Sequence, residues 1–239
     1  MTKALSAEQQ IIQDKAIAHA HKIKKKFAKE FTDKAIFPKE ENPVSVFMAG
    51  SPGAGKTEAS KALIEEFKGD VIRIDADEFR KQFEDYTGDN SWLFQSAVSI
   101  LVEKVHDFVI KNSQSFLLDG TLTNYTKAAQ NIERSIKRKR MVQILYVYQD
   151  PIRAWEFVQA REKVEGRNIP LGRFIEQYFN ARECVNKLKE HFGADLKVDL
   201  LVQDRSNQLS RYKANIDSID NHVNEKYTPA ALETLLNKD

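Results

Sequence analysis

Apolar residues gather into five short runs along the chain, at 43–49 ("PVSVFMA"), 70–74 ("DVIRI"), 115–119 ("SFLLD"), 141–149 ("MVQILYVYQ") and 197–203 ("KVDLLVQ"). Most are apolar on consecutive positions, as strands buried on both faces are. Longer segments with helical spacing separate them. Phe94, Val98, Leu101, Val105 and Phe108 recur at steps of 4, 3, 4 and 3, which makes one stripe on a helix. Strands alternating with helices build right-handed βαβ units around a parallel sheet. The pattern predicts an α/β fold with a parallel five-stranded sheet and helices on both faces.

Two ends lie outside the alternation. Residues 6–31 predict an amphipathic helix with Ala16, Ala20, Ile23, Phe27 and Phe31 on one side, and its "HKIKKKFAK" run reads as a solvated face. His19 and His21 are two apart, so on a helix they diverge and make a poor metal pair. "KRKR" at 137–140 closes a helix, where cations suit the negative end of the macrodipole. After Gln203 the chain is polar until Pro229 opens a final short helix, "PAALETLLN". No glycine- or serine-rich linker interrupts the chain. The economical reading is one domain over 1–239, with a helical extension (1–42), a core (43–204) and a helical tail (205–239).

Composition narrows the function. Hydrophobic residues make up 41% and charged residues 30%, the balance of a globular protein. A net charge of +2 is too small to make nucleic acid or an acidic membrane the main partner. The single Cys184 excludes an internal disulfide and, in a helical segment, reads as packing. No apolar run approaches the roughly 18 residues of a membrane span. The opening "MTKALSAEQQ" lacks the apolar stretch of a signal peptide. The expectation is a cytoplasmic protein.

The chemistry starts at the end of the first run. Gly50-Ser51-Pro52-Gly53-Ala54-Gly55-Lys56-Thr57 fits G-x-x-x-x-G-K-[ST], with a buried strand before it and a helix after it. Glycines let backbone N–H groups converge on phosphate oxygens, and the new helix presents its positive end there. Lys56 can then bridge the β- and γ-phosphates while the Thr57 hydroxyl ligates Mg²⁺. No N-K-x-D stretch for reading guanine follows the core strands, so ATP is the expected nucleotide.

A second cluster follows in "VIRIDADEFR" (71–80). Asp75 and Asp77 stand at the carboxyl end of a strand, where open α/β sheets bind ligands. Asp77 is positioned to take a proton from a hydroxyl attacking the γ-phosphate. Asp75 either caps the next helix, in a box with Glu78, or faces metal or substrate. Asp119, in "LLDGT", could hold a metal's water shell or bind substrate. "AREKVEGRNIPLGR" (160–173) carries Arg161, Arg167 and Arg173, cations able to clamp a transferring phosphoryl group from a mobile segment. A base for a bound hydroxyl plus a lid against water reads as a kinase.

Over roughly residues 35–205 these blocks resemble the zeta toxin family: "GSPGAGKT", "VIRIDADEFR", "DGT" and the arginine-bearing lid. Zeta toxins are kinases that phosphorylate the 3′-hydroxyl of the sugar in UDP-N-acetylglucosamine and are usually neutralised by a helical antitoxin covering the nucleotide site. The resemblance implies that Lys56 and Thr57 hold ATP and Mg²⁺, that Asp77 is the base, and that Arg161 and Arg167 stabilise the phosphate. It sets Asp75, Asp119, Thr121 and Thr123 on the acceptor side. One departure stands out. The family usually has Glu-Gly-Thr and, two residues later, an arginine on the sugar nucleotide; here Asp119-Gly120-Thr121-Leu122-Thr123 has a shorter acid and no cation. Losing a bidentate phosphate contact weakens a diphosphate-bearing substrate. Two rival readings remain: a kinase for another acceptor (an antibiotic, nucleoside or dinucleotide) and a nucleotide-dependent switch without transfer.

Overall fold

The structure is a computed structural model and describes residues 5–66, 71–166, 168–206 and 208–237. The five apolar runs form β1 (Val44–Ala49), β2 (Ile72–Asp75), β3 (Phe116–Asp119), β4 (Met141–Tyr148) and β5 (Lys197–Gln203). These pair in parallel in the order β2-β3-β1-β4-β5. The expected count of five needs correction, because β6 (Leu209–Lys213) adds an antiparallel edge beside β5. Its sequence, "LSRYK", has no apolar run, and all five residues are exposed, so the pattern that marks a buried strand is missing. A short, polar, basic strand suits a sheet edge. The tail read as helical from residue 205 therefore begins with a strand.

Side chains alternate between two covered faces. Phe47 and Ala49 of β1 join the larger core with Ile74, Phe116 and Ile144, whereas Val46 and Met48 pack with Leu117, Leu145 and Val147 on the other face. Helix α2 (Lys56–Glu66) covers that second face through Ala59 and Leu63. The larger core lies under α1 (Ala7–Phe31), α4 (Gln95–Asn112), α5 (Tyr125–Ile136) and α7 (Leu171–Phe192). The stripe read from the sequence is the buried face of α4, with Val98, Leu101 and Val105 fully covered. Cys184 is packing, as expected, and burial pushes its thiol up to about 11.

The N-terminal helix bears on the site. Ser6 caps α1 in a box with Gln9, and Ala16, Ala20 and Ala28 are buried, small enough to bring the helix close against its neighbours. Phe27 and Phe31 each meet Phe79 edge-on at 4.9 Å. Phe79 ends the one-turn helix α3 (Ala76–Phe79), which carries Asp77, so α1 buttresses that turn from behind.

Arg140 changes the reading of "KRKR". It is buried and donates to Ser45 Oγ (2.7 Å) and to the carbonyls of Val44 (2.9 Å) and Gln114 (2.6 Å). Burial lowers its guanidinium to about 10, which leaves it charged at neutral pH. It is thus an internal tie between strands rather than a helix-end cation. Arg140→Ala strands two buried carbonyls, and hydrogen bonds to charged groups contribute about 1.5–3 kcal/mol each. A loss of roughly 3 kcal/mol is expected, read in a thermal melt as a Tm lower by about 6–12 °C.

Candidate functional site

Strand register assembles the site. β2 and β3 pair Asp75 with Asp119, and both end at the sheet edge where β1 runs into the glycine-rich loop. A cleft of about 720 Å³ opens there and is lined by Lys56, Thr57, Asp77, Asp119, Arg161 and Arg173, among others. Five separate stretches of the sequence contribute to it.

The loop is built by close backbone approach. Gly50 has φ +135°, and a Cβ there would lie 2.3 Å from the Val147 carbonyl oxygen. Gly53 has φ +73°, and its Cβ would lie 2.1 Å from the Ala154 carbonyl oxygen. Ser51, Pro52 and Ala54 are buried, and Gly55 leads into α2, whose first N–H groups have no intrahelical partner. Lys56 Nζ donates to the carbonyls of Ser51 (2.6 Å) and Gly50 (3.1 Å), so its ammonium lies inside the curl of the loop. Thr57 follows on the first turn of α2 and reaches the same cleft. These residues fit a polyphosphate: a concave loop where Cβ atoms would clash, a cation within it, and a helix N-terminus behind.

The two strand-end aspartates do different work from Asp77. Asp75 caps α3, accepting from the Asp77 N–H at 2.8 Å through one oxygen and from Arg73 at 2.7 Å through the other. Burial, and then the charge of Asp77, raise its carboxyl above the usual range, while Arg73 pulls the other way. The expected box with Glu78 is only half present, because Glu78 pairs with Arg73 instead (2.6 Å). Asp119 accepts from Arg73 Nη2 at 2.7 Å and lies 3.0 Å from Ser60 Oγ. Both carboxylates are therefore tied down by one guanidinium between adjacent strands.

Asp77 stands further into the cleft, one third exposed, with a cation beside each oxygen. Arg80, buried one turn on, donates to Oδ1, and Arg161 Nη2 lies 3.9 Å from Oδ2. Arg161 belongs to helix α6 (Pro151–Glu165), which ends at Gly166 in the left-handed region (φ +71°). Arg173 lines the cleft from the first turn of α7 and pairs with Glu176 (2.6 Å). Arg167 lies outside the described residues. Thr121 reaches the cleft, and its carbonyl accepts from the Gly50 N–H at 3.3 Å, which ties the β3 loop to the cradle. Thr123 Oγ1 is 3.5 Å from Thr121 Oγ1 but is not among the residues lining the cleft.

Two residues escaped the sequence reading. Arg73 is an arginine inside an apolar strand flanked by acids, which signals a buried partner in hindsight. Arg80 follows Asp77 at i+3, the spacing of neighbours on a helical turn. Among the described residues, no group of three or more His, Cys, Asp or Glu side chains could hold a metal ion. No described helix is long and apolar enough to cross a membrane.

Comparison with known proteins agrees with this geometry. The Zeta toxin family model matches residues 28–217. Two curated proteins named Toxin zeta, from Enterococcus hirae and Streptococcus pyogenes, are each 45% identical over 42 residues. That stretch is 18% of this chain and 15% of each relative's length. A solved structure from the PezAT chromosomal toxin–antitoxin system of Streptococcus pneumoniae superposes with a TM-score of 0.70 at 17% identity, covering 95% of this chain and 96% of that one. A structure of AvrRxo1-ORF1:-ORF2 with ATP superposes with a TM-score of 0.57 at 14% identity, covering 87% of this chain and 67% of that one. Both structural likenesses speak for the fold.

Proposed function

The chain belongs to the zeta toxin family, and from that premise we propose that it is an ATP-dependent kinase that phosphorylates a hydroxyl of a small molecule, with a nucleotide sugar such as UDP-N-acetylglucosamine as the acceptor. Members of the family are P-loop phosphotransferases that use a nucleotide. The observation that carries the reading is the shared cleft of Lys56, Thr57 and Asp77. Lys56 and the α2 N-terminus bind the polyphosphate, and Thr57 Oγ1 would hold Mg²⁺, which would supply neutralisation of phosphate charge. Asp77 accepts the proton of the acceptor hydroxyl as its oxygen bonds to the γ-phosphorus. The bond from that phosphorus to the bridging oxygen breaks, and ADP leaves. Arg161, already beside Asp77, spreads the charge of the phosphoryl group in transit. Arg167 is proposed for the same work on the strength of the family resemblance alone.

A nucleotide switch needs neither a base nor cations around it, so the Asp77 environment favours transfer. Mass spectrometry of a metabolite extract incubated with enzyme and ATP tests the reading. A product heavier by one phosphoryl group supports it, and ATP bound without any such product would sink it. The reading also includes a helical antitoxin partner, supported by the toxin–antitoxin setting of the structural neighbour, and a cytoplasmic site of action, carried over from the sequence.

The acceptor loop carries its own prediction. Thr123 has no charge to give a diphosphate, and Lys127, the nearest alternative in sequence, is paired with Glu103. UDP-N-acetylglucosamine is therefore expected to be used with a high KM. A charged contact contributes roughly 1.5–3 kcal/mol, or about 10- to 150-fold in affinity. Thr123→Arg should lower KM towards that extent and change kcat much less, since the contact is made in the ground state. A coupled ATP assay over a titration of UDP-N-acetylglucosamine reads both. Saturation of the unaltered enzyme at micromolar substrate would mean that another residue supplies the contact.

A further inference from the structure

The cleft has a wall outside the residues assigned above to the polyphosphate and the phosphoryl transfer. After Arg80–Gln82 the chain makes a tight turn and a short 3₁₀ segment, Ser91–Phe94, which runs directly into α4. The turn is held firmly. The Asn90 side chain accepts from the Thr87 N–H (3.0 Å) and donates to the Asp85 carbonyl (2.8 Å), and the Ser91 N–H donates to the Gly88 carbonyl (3.1 Å). Ser91, Leu93 and Phe94 are buried, and Phe94 packs against Phe83 and Tyr86. Trp92, between them, is 50% exposed and lines the cleft. A lone exposed apolar side chain is ordinary, but this one is an indole on a pinned turn that lines the same cleft as the candidate base.

Gln95 follows at i+3 and also lines the cleft. Its orientation is determined by its neighbour. Arg80 Nη2 donates to Gln95 Oε1 at 3.1 Å, and a guanidinium can only donate, so the amide oxygen faces Arg80 and the NH₂ faces away. The same guanidinium holds Asp77 through Nη1. Arg80 thus links the candidate base to Gln95, which lines the cleft together with Trp92 and keeps its amide N–H groups free of the Arg80 bond.

We propose that Trp92 and Gln95 form the acceptor subsite, with Trp92 as the platform for a ring of the acceptor and Gln95 donating to an oxygen on it. The inference rests on the kinase reading and deepens it by naming where the acceptor binds. It also supplies affinity that the uncharged Thr123 does not, because stacking needs no cation. The ring chemistry is shared by the two ends of a nucleotide sugar: a nucleobase lays its π-face on the indole, and a pyranose lays its C–H face there. Arg80 is a positioning residue.

Trp92 and Trp155 are the only tryptophans, so Trp155→Phe leaves Trp92 as the sole indole reporter. That variant is titrated with UDP-N-acetylglucosamine, UDP and N-acetylglucosamine separately, with and without a non-hydrolysable ATP analogue. Saturable quenching is expected with UDP-N-acetylglucosamine. Quenching by UDP assigns the base to Trp92, and quenching by N-acetylglucosamine assigns the sugar. In the otherwise unaltered enzyme, Trp92→Ala should raise the acceptor KM about 5- to 150-fold, on the scale of stacking lost to alanine, and Trp92→Phe should recover most of it. The KM for ATP should stay put, which also shows that the variant folds. No quenching by any of the three ligands, or an acceptor KM unmoved in Trp92→Ala, overturns the proposal. Quenching without ADP formation upholds the subsite and sinks the kinase reading; transfer with an undisturbed Trp92 signal does the reverse.

Discussion

Replacing Lys56 by alanine is expected to leave a folded protein that transfers phosphate at least 10²- to 10³-fold more slowly. The lysine is a cation inside the glycine loop, donating to two loop carbonyls and contributing nothing to either apolar core. Lys56 itself lines the cleft and packs in none of the apolar clusters, so stability should change little. In the transition state the ammonium opposes charge developing on the β- and γ-oxygens, and a single preorganised donor of that kind is worth about 2.7–4 kcal/mol. Initial rates of ADP formation beside a circular dichroism melt separate the two effects. Normal turnover in the folded variant would remove the phosphate assignment.

Asp77→Asn tests the other half of the cleft. The amide keeps the size of the carboxylate, and its oxygen can still accept from Arg80, so the turn from Asp75 to Phe79 should hold. What disappears is the proton acceptor. ATP should bind as before while transfer falls by roughly 10²- to 10⁴-fold, the range for losing a general base. The neighbouring carboxylate is the control. Asp75 is committed through both oxygens to the Asp77 N–H and Arg73, so Asp75→Asn should lower the melting temperature more than the rate constant. Were Asp75→Asn the slow variant and Asp77→Asn mild, the roles would have to be exchanged.

Much of this was legible in the chain because burial on both faces writes itself as consecutive apolar residues. Each of the five runs became a strand, with ends moved by a residue or two, and the stripe became the inner face of α4 from Val98 onward, with Phe94 buried in the 3₁₀ turn that leads into it. β6 was not legible, since an edge strand exposed at every position carries no burial signal. The cradle could be read because phosphate binding needs several residue types in one unbroken stretch. The network behind it could not, because Arg73 joins residues 60, 75, 78 and 119, and that meeting depends on the register of β2 against β3. Likewise "KRKR" gave no hint that its last arginine turns inward to Ser45 and Gln114, which lie 95 and 26 residues away in sequence.

The two clashing glycines carry a lesson about descent. Gly50 and Gly53 are needed because the carbonyls of Val147 and Ala154 pass too close for any Cβ, a demand made by the folded chain itself whether or not a nucleotide ever binds. Lys56 ties two loop carbonyls, but no close packing demands a lysine there. A lineage that gave up phosphoryl transfer would therefore be free to lose the lysine while purifying selection held the glycines. Among such inactive descendants, glycine at positions 50 and 53 beside a substituted position 56 is the expected fossil, and the opposite pattern would contradict the packing account.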